Sequence, residues 1–192
     1  MEQYEVVILG AGHNALVLQA YLAKAGLKTI VLERRSKPGG GLDTIEHPSG
    51  SGFLQNPHSF FHRGVTSMPW FLDLQLEENG AHYIEPNCNV SVINGDHQAV
   101  KWHRDFNVTL QTVRQFSAAD ADKLEYWHET FRPVLTKILV PELRRLPVPA
   151  EERSRLLHQS AAGRLLLEVS ALSPLEFVNR EFEHPFVKGA LL

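Results

Sequence analysis

Cysteine is almost absent from this chain of 192 residues, which contains Cys88 and no other. A single cysteine excludes an internal disulfide and the paired redox cysteines of disulfide oxidoreductases. We expect the Cys88 thiol to be buried rather than reactive. The chain also has no run of 18 or more apolar residues, so the sequence predicts no membrane span.

Positive charge is not in surplus either. Nineteen Lys and Arg residues stand against 22 Asp and Glu residues, for a formal net charge of −3, and no basic patch indicates a nucleic-acid partner. The first four residues, which include Glu2, lack the charged start of a signal peptide. No repeat or low-complexity tract is present. These features predict a soluble cytoplasmic protein.

What the chain does have is a glycine-rich turn between an apolar segment, residues 6–9, and an amphipathic segment. In this G-x-G-x-x-A motif Gly10 allows a tight turn, Gly12 lets a pyrophosphate approach the backbone, and Ala15 is small enough for a helix to pack on a strand. The unpaired N–H groups at the start of the following helix favour an anion. The predicted phosphate-binding residues are Gly10, Gly12, His13, Asn14 and Ala15.

The residues after this turn complete a β-α-β unit. The amphipathic segment ends at Gly26, which suits a left-handed helix C-cap, and residues 28–32 form an apolar strand pattern. Glu33 follows, roughly 20 residues past the glycine turn, where an acidic residue accepts hydrogen bonds from a ribose. The alternative is a surface glutamate at a strand end. The intact unit around Glu33 favours the nucleotide role.

A second glycine-rich segment comes next, because Glu33 and Arg34 lead into Pro38-Gly39-Gly40-Gly41-Leu42. An NAD site has no need of such a segment. Residues 10–42 resemble the FAD-binding N-terminus of the glutathione-reductase-like flavoproteins. They are most similar to the phytoene-desaturase-like and amine-oxidase-like FAD-dependent oxidoreductases, in which a Glu-Arg pair and a Gly-Gly turn follow the second strand. The third small residue is more often Gly in that family, and Ala15 is an allowed departure.

This resemblance implies FAD as the cofactor and hydride transfer from a substrate C–H bond to the flavin. It also implies that Glu33 binds the adenosine ribose and that Arg34 lies on the adenine side. The residues implied to allow a close approach of backbone to cofactor are Gly39, Gly40, Gly41 and Leu42. A non-catalytic nucleotide-binding scaffold or regulatory subunit is the alternative function.

A weaker likeness covers residues 52–60 and implies that Asn56, Pro57 and His58 lie near the flavin ring. The alternative is an ordinary turn, which Asn-Pro favours. His58 and His62 are spaced as a metal pair on a helix would be, but the segment has a strand and loop pattern without a third ligand, so no metal site is predicted. Both histidines are catalytic candidates by position only, and no catalytic residue is assigned.

The pattern changes after residue 80. Residues 81–85 and 90–93 form strand patterns, Asn94-Gly95 predicts a hairpin turn, and the chain is mostly helical from about residue 109, with an interruption at Pro133. Two serines are predicted to begin helices: Ser117, in a variant capping box with Asp120 in place of the usual Glu, and Ser173, with Glu176 three residues later.

The predicted fold class is α/β, with a Rossmann-like β-α-β unit, an antiparallel hairpin and a helical region. Residues 1–80 are predicted to be part of an FAD-binding domain and residues 81–192 part of a substrate or cap region.

The resembled family returns to its nucleotide domain after such a helical region, whereas this chain does not. We therefore expect an incomplete fold on its own. The explanations are a half-subunit completed by another polypeptide, a truncated sequence, or a small protein that has lost catalysis. The first is favoured because a bare half exposes sheet edges and an apolar face. Its partner would be a complementary polypeptide or a second copy of this chain.

Overall fold

The structure is a computed structural model that describes residues 2–59, 61–62 and 64–192. It divides into two compact units, Met1–Tyr83 and Ile84–Leu192. The first unit combines short strands with helices, and the second joins one hairpin to a set of helices. This mixed architecture confirms the predicted α/β fold class.

The first unit is built on a parallel strand pair. Strand β1 (Val6–Leu9) lies beside β2 (Thr29–Leu32) in parallel register, and helix α1 (His13–Lys24) makes the crossover between them. Parallel neighbours need such a crossover because a tight turn cannot join them. Helix α1 ends just before Gly26, whose φ of 87° is the left-handed conformation that glycine adopts without strain. The predicted β-α-β unit is therefore confirmed.

The rest of this unit consists of short elements. Strand β3 (Ile45–Glu46) pairs antiparallel with β4 (Leu54–Gln55), and a 3₁₀ turn (Val65–Ser67) leads into helix α2 (Pro69–Asp73). Helix α2 is tied to α1 through Asp73. Its carboxylate accepts a hydrogen bond from the Tyr21 hydroxyl at 2.7 Å.

The second unit begins with the hairpin of β5 (Cys88–Ile93) and β6 (Ala99–His103). The predicted turn is present, but the residue with positive φ is His97 at 62° rather than Gly95. The side-chain oxygen of Asn94 organises the turn by accepting backbone N–H groups two and four residues ahead. Cys88 is half-buried rather than buried, because it starts the hairpin at one end of its ladder.

The strand predicted over residues 81–85 is wrong. Residues 81–86 form neither helix nor strand. An alternating pattern makes a strand when its apolar face is buried, yet Ile84 is 91% exposed. Pro86 follows directly and has no N–H group to donate to a partner strand.

Helices make up most of the second unit, as predicted. They are α3 (Phe106–Arg114), α4 (Ala118–Val134), α5 (Val140–Glu142), α6 (Ala150–His158), α7 (Ala161–Ser170), α8 (Pro174–Glu181) and α9 (Pro185–Leu191). Helix α4 is not interrupted at Pro133 but continues one residue further and passes into a π-helical turn, Leu135–Leu139. Wider turns of this kind occur where the regular hydrogen-bond ladder is disturbed, and a proline disturbs it by lacking an N–H donor.

The core of the second unit lies between its hairpin and its helices. Its buried apolar side chains are Val100, Val113, Ala121, Val178, Phe182 and Val187.

Two serines begin helices as predicted: Ser117 accepts the N–H of Asp120, and Ser173 forms a capping box with Glu176. Over the described ranges, no helix combines the length and apolar character that crossing a membrane requires.

Candidate functional site

The glycine turn lies at the carboxyl end of β1, directly before α1. Gly10 has a φ of 91°, and its N–H donates to the carbonyl of Leu32 at 2.7 Å, which fixes the turn to the end of β2. Gly12 is the N-cap of α1 and has an ordinary φ of −71°. Within the described part of the chain, no side chain caps this helix. The N–H groups of its first turn are thus available to an anion.

Glu33 follows β2 and reaches the glycine turn. Its Oε2 accepts the backbone N–H of Ala11 at 2.6 Å, and its Oε1 accepts the backbone N–H of Arg35 at 2.8 Å. The N–H of Arg35, and next that of Ala11, hold the pKa of the Glu33 carboxyl below its ordinary value. Glu33 is therefore ionised at neutral pH, and both of its carboxylate oxygens are hydrogen-bond acceptors.

The second glycine-rich segment packs directly on the first. The N–H of Gly39 donates to the carbonyl of Ala11 at 2.7 Å, and Gly39 forms a parallel β-bridge with Gly12. A Cβ atom on Gly40 would lie 3.0 Å from the Cα of Gly12, closer than most side chains tolerate. The structure thus brings together the predicted residues of both glycine segments, with Glu33 beside them.

Replacing Gly39 and Gly41 separately tests the backbone conformation of the second glycine-rich segment. Gly39 has a φ of 121°, and a Cβ there would overlap the carbonyl oxygen of Leu42, whereas a Cβ on Gly41 meets no described atom within 4 Å. We expect Gly39→Ala to lower the free energy of unfolding by about 1–3 kcal/mol, as other strained backbone positions do. Gly41→Ala should leave it nearly unchanged. Urea unfolding of both variants is the measurement, and equal effects would contradict the assigned loop conformation.

A cleft of about 380 Å³ adjoins the second glycine-rich segment. Its lining residues are Arg35, Ser36, Lys37, Pro38, Gly40, Asp43 and Ile45. Arg35 lines this cleft and Arg34 does not, although both side chains are exposed, and the Nη1 of Arg35 donates to the carbonyl oxygen of Gly40 at 3.5 Å. Residues 34–37 bend away from the line of β2, so strand alternation gives no signal for Arg35 in the sequence.

The residues predicted near a flavin ring lie in the loop after β4. Asn56 accepts a hydrogen bond from the Thr44 hydroxyl at 2.7 Å, and this contact joins the loop to the segment before β3. Asn56, Pro57 and His58 are all exposed. In the described residues, no hydrogen bond links any of the three to the glycine turns. Phe60, in the same predicted stretch, lies outside the described residues.

The two histidines of this region do not form the helical metal pair considered as an alternative. His58 and His62 both lie in non-helical backbone. The ring of His62 packs at a tilt against Tyr83, with 5.7 Å between centroids. Over residues 2–59, 61–62 and 64–192, three or more His, Cys, Asp or Glu side chains nowhere form a group suited to a metal ion.

Comparison with known proteins agrees with this geometry. Residues 8–72 match the NAD(P)-binding Rossmann-like domain. The chain is 35% identical over 193 residues to a subunit of the limonene dehydrogenase of Castellaniella defragrans, a match that covers 100% of this chain and 34% of that protein. It is 28% identical over 180 residues to pyridine nucleotide-disulfide oxidoreductase domain-containing protein 2 of Rattus norvegicus, covering 90% of this chain and 29% of that protein.

A shorter match, 60% identical over 38 residues, relates 20% of the chain to 14% of a thiamine thiazole synthase of Saccharolobus islandicus. The chain spans about a third of the length of the limonene dehydrogenase protein and somewhat less of the rat protein. Together the matches relate this chain to proteins of the FAD/NAD oxidoreductase superfamily and support a dinucleotide-binding segment in residues 8–72.

Proposed function

We propose that this chain binds the adenosine diphosphate part of FAD within an FAD-dependent oxidoreductase of the phytoene-desaturase-like branch. The observation that carries this proposal is the packing of the second glycine-rich segment on the first, through the Gly39 to Ala11 hydrogen bond of 2.7 Å. A site for NAD alone needs only the first glycine turn. The second segment is the feature shared with the resembled flavoproteins.

The residues present fit such a ligand. A Cβ on Gly12 would meet no described atom within 4 Å, so there is room for a phosphate against the backbone at the uncapped start of α1. Gly10 and Gly12 would hold the pyrophosphate with the first-turn N–H groups of α1, and Glu33 would bind the ribose. FAD, when bound, supplies the hydride-accepting chemistry. The role of this chain is to bind and orient it.

The remaining assignments belong to the same proposal. Arg34 would lie on the adenine side, and Asn56 and His58 would lie near the flavin ring. Residues 1–80 would form part of the FAD-binding domain and residues 81–192 part of a substrate or cap region, in a cytoplasmic enzyme with a small-molecule substrate.

Further polypeptide would complete the site. One face of the parallel strand pair is apolar and open, with Val7 55%, Leu9 81% and Leu32 50% exposed. Apolar sheet faces of this kind are normally covered in proteins. The Castellaniella relative is named as one subunit of its enzyme, which supports a partner chain. We propose a complementary polypeptide as this partner, with a second copy of the chain as the alternative.

Equilibrium titration with FAD and with NAD separates the cofactors, and it uses the protein purified from its native source with its partner chain, after any bound flavin has been removed. We expect one FAD per chain and no measurable NAD binding, together with yellow flavin that copurifies from the native source. Bleaching of that flavin by substrate would establish turnover, whereas stable colour would favour the scaffold alternative. Tight NAD binding without flavin absorbance would contradict the proposal.

Glu33→Ala tests the nucleotide site at one residue. Hydrogen bonds to a charged group contribute about 1.5–3 kcal/mol, so the affinity for FAD should fall roughly 10- to 150-fold. Glu5→Ala is a matched control, because Glu5 accepts the backbone N–H of Lys28 at 2.8 Å at the opposite end of the same strand pair. The control should keep its affinity. An unchanged dissociation constant in Glu33→Ala would make Glu33 a surface residue at a strand end.

A further inference from the structure

Ala11 is held at both of its backbone polar groups by residues that follow β2. Its N–H donates to Glu33 Oε2 at 2.6 Å, and its carbonyl accepts the N–H of Gly39 at 2.7 Å. Ala11 lies between the two glycines of the phosphate-binding turn, and it is 4% exposed. The conformation of that turn therefore depends on contacts from a segment more than 20 residues away in sequence.

The same carboxylate also fixes the path into the second glycine-rich segment. Glu33 Oε1 accepts the N–H of Arg35 at 2.8 Å, while Oε2 binds Ala11. One ionised side chain thus joins the phosphate-binding turn, the end of β2 and the start of the segment that leads to Gly39. Hydrogen bonds from N–H groups to a carboxylate are about twice as strong as those between neutral groups.

We propose that Glu33 is a positioning residue for the phosphate-binding turn, in addition to being the ribose ligand of the proposed function on which this inference rests. Loss of its carboxylate leaves the N–H groups of Ala11 and Arg35 without this acceptor, and among the residues that the structure describes the two glycine-rich segments are then joined only through Gly39. The consequence differs from that of a ribose ligand. A residue that only binds ribose hydroxyl groups does not affect a ligand that lacks them, whereas a positioning residue does.

Binding of ADP and of 2′,3′-dideoxyadenosine 5′-diphosphate separates these two roles. The dideoxy compound keeps the adenine and the pyrophosphate and has no ribose hydroxyl group for Glu33 to bind. We expect Glu33→Ala to bind it at least 10-fold more weakly than the unmodified chain does, and Glu5→Ala to bind it normally. Equal affinity of Glu33→Ala and the unmodified chain for the dideoxy compound would overturn the positioning role and leave the ribose role standing.

Amide hydrogen exchange tests the same inference without any ligand. The N–H groups of Ala11 and Gly39 should exchange at least 10-fold faster in Glu33→Ala than in the unmodified chain, whereas the N–H of Ile30, which faces β1 in the strand pair, should exchange at the same rate in both proteins. Unchanged exchange at Ala11 would overturn the inference. If the unmodified chain binds neither ADP nor FAD, the proposed function fails, and this exchange measurement still decides whether Glu33 holds the turn.

Glu33→Gln provides a second variant if the alanine variant does not fold. The amide retains one acceptor oxygen, so it can bind Ala11 or Arg35 but not both through oxygen. We expect an exchange rate at Ala11 between those of the unmodified chain and Glu33→Ala. An exchange rate equal to that of the unmodified chain, at both Ala11 and Arg35, would contradict the two-oxygen contact.

Discussion

Gly12→Asp is expected to abolish FAD binding while leaving the secondary structure of the chain unchanged. The φ of Gly12 is −71°, which any residue adopts, and a side chain there meets no described atom within 4 Å. An aspartate at the start of α1 even suits the helix dipole. In the proposed complex, however, its side chain would occupy the place of the pyrophosphate and repel it. The affinity for FAD should fall roughly 100-fold or more, a loss of about 3 kcal/mol or more.

FAD titration and far-ultraviolet circular dichroism of the Gly12→Asp variant are the measurements. Gly95→Asp is the matched control, because it adds the same charge at a glycine of the β5–β6 turn where a Cβ also meets no described atom within 4 Å. The control should bind FAD normally. Stoichiometric flavin retained by Gly12→Asp would remove the phosphate assignment, whatever the behaviour of the control.

The β-α-β unit was predictable because each of its signals is local. The tight turn after β1 and the left-handed backbone conformation after α1 both favour glycine. Gly10 and Gly26 occupy these positions, with φ values of 91° and 87°. Short runs of apolar residues identified the two strands, and helical periodicity identified α1 between these glycines. The same reasoning found the serine that begins α8, where the cap and its partner are three residues apart.

The hydrogen-bond network around Ala11 was not predictable from such signals. Its partners are backbone groups and one carboxylate, brought together by two turns whose relative path is a tertiary property. The motif predicts that Glu33 is a ribose ligand, but it does not predict that the same side chain accepts a hydrogen bond from the N–H of Ala11. The residues predicted near the flavin ring depend on resemblance alone, and their roles stay a prediction.

Asp120 has a tertiary contact that its local sequence pattern did not predict. The sequence predicted a variant capping box in which Ser117 accepts the N–H of Asp120 and the Asp120 carboxylate accepts the N–H of Ser117. The first contact is present, at 3.0 Å. The Asp120 carboxylate does not turn back to Ser117. It accepts the N–H groups of Glu183 and His184, each at 2.8 Å, and it is 1% exposed. A side chain on α4 thereby caps the start of α9.

Asp120→Ala is expected to lower the free energy of unfolding by about 3–6 kcal/mol, because two N–H groups lose a buried carboxylate acceptor and a hydrogen bond to a charged group contributes about 1.5–3 kcal/mol. That loss is a large part of the roughly 5–15 kcal/mol that stabilises a typical domain. Asp120→Asn keeps one acceptor oxygen and should lose less.

Asp122→Ala is the control, since Asp122 is on the same helix but 66% exposed, and its ion pair with Arg114 should contribute no more than about 1 kcal/mol. Urea unfolding followed by tryptophan fluorescence measures all three variants, because Trp127 on α4 donates to Glu181 at the end of α8. If Asp120→Ala unfolds at the same urea concentration as Asp122→Ala, the two N–H groups do not depend on Asp120, and the start of α9 is held by its apolar contacts instead.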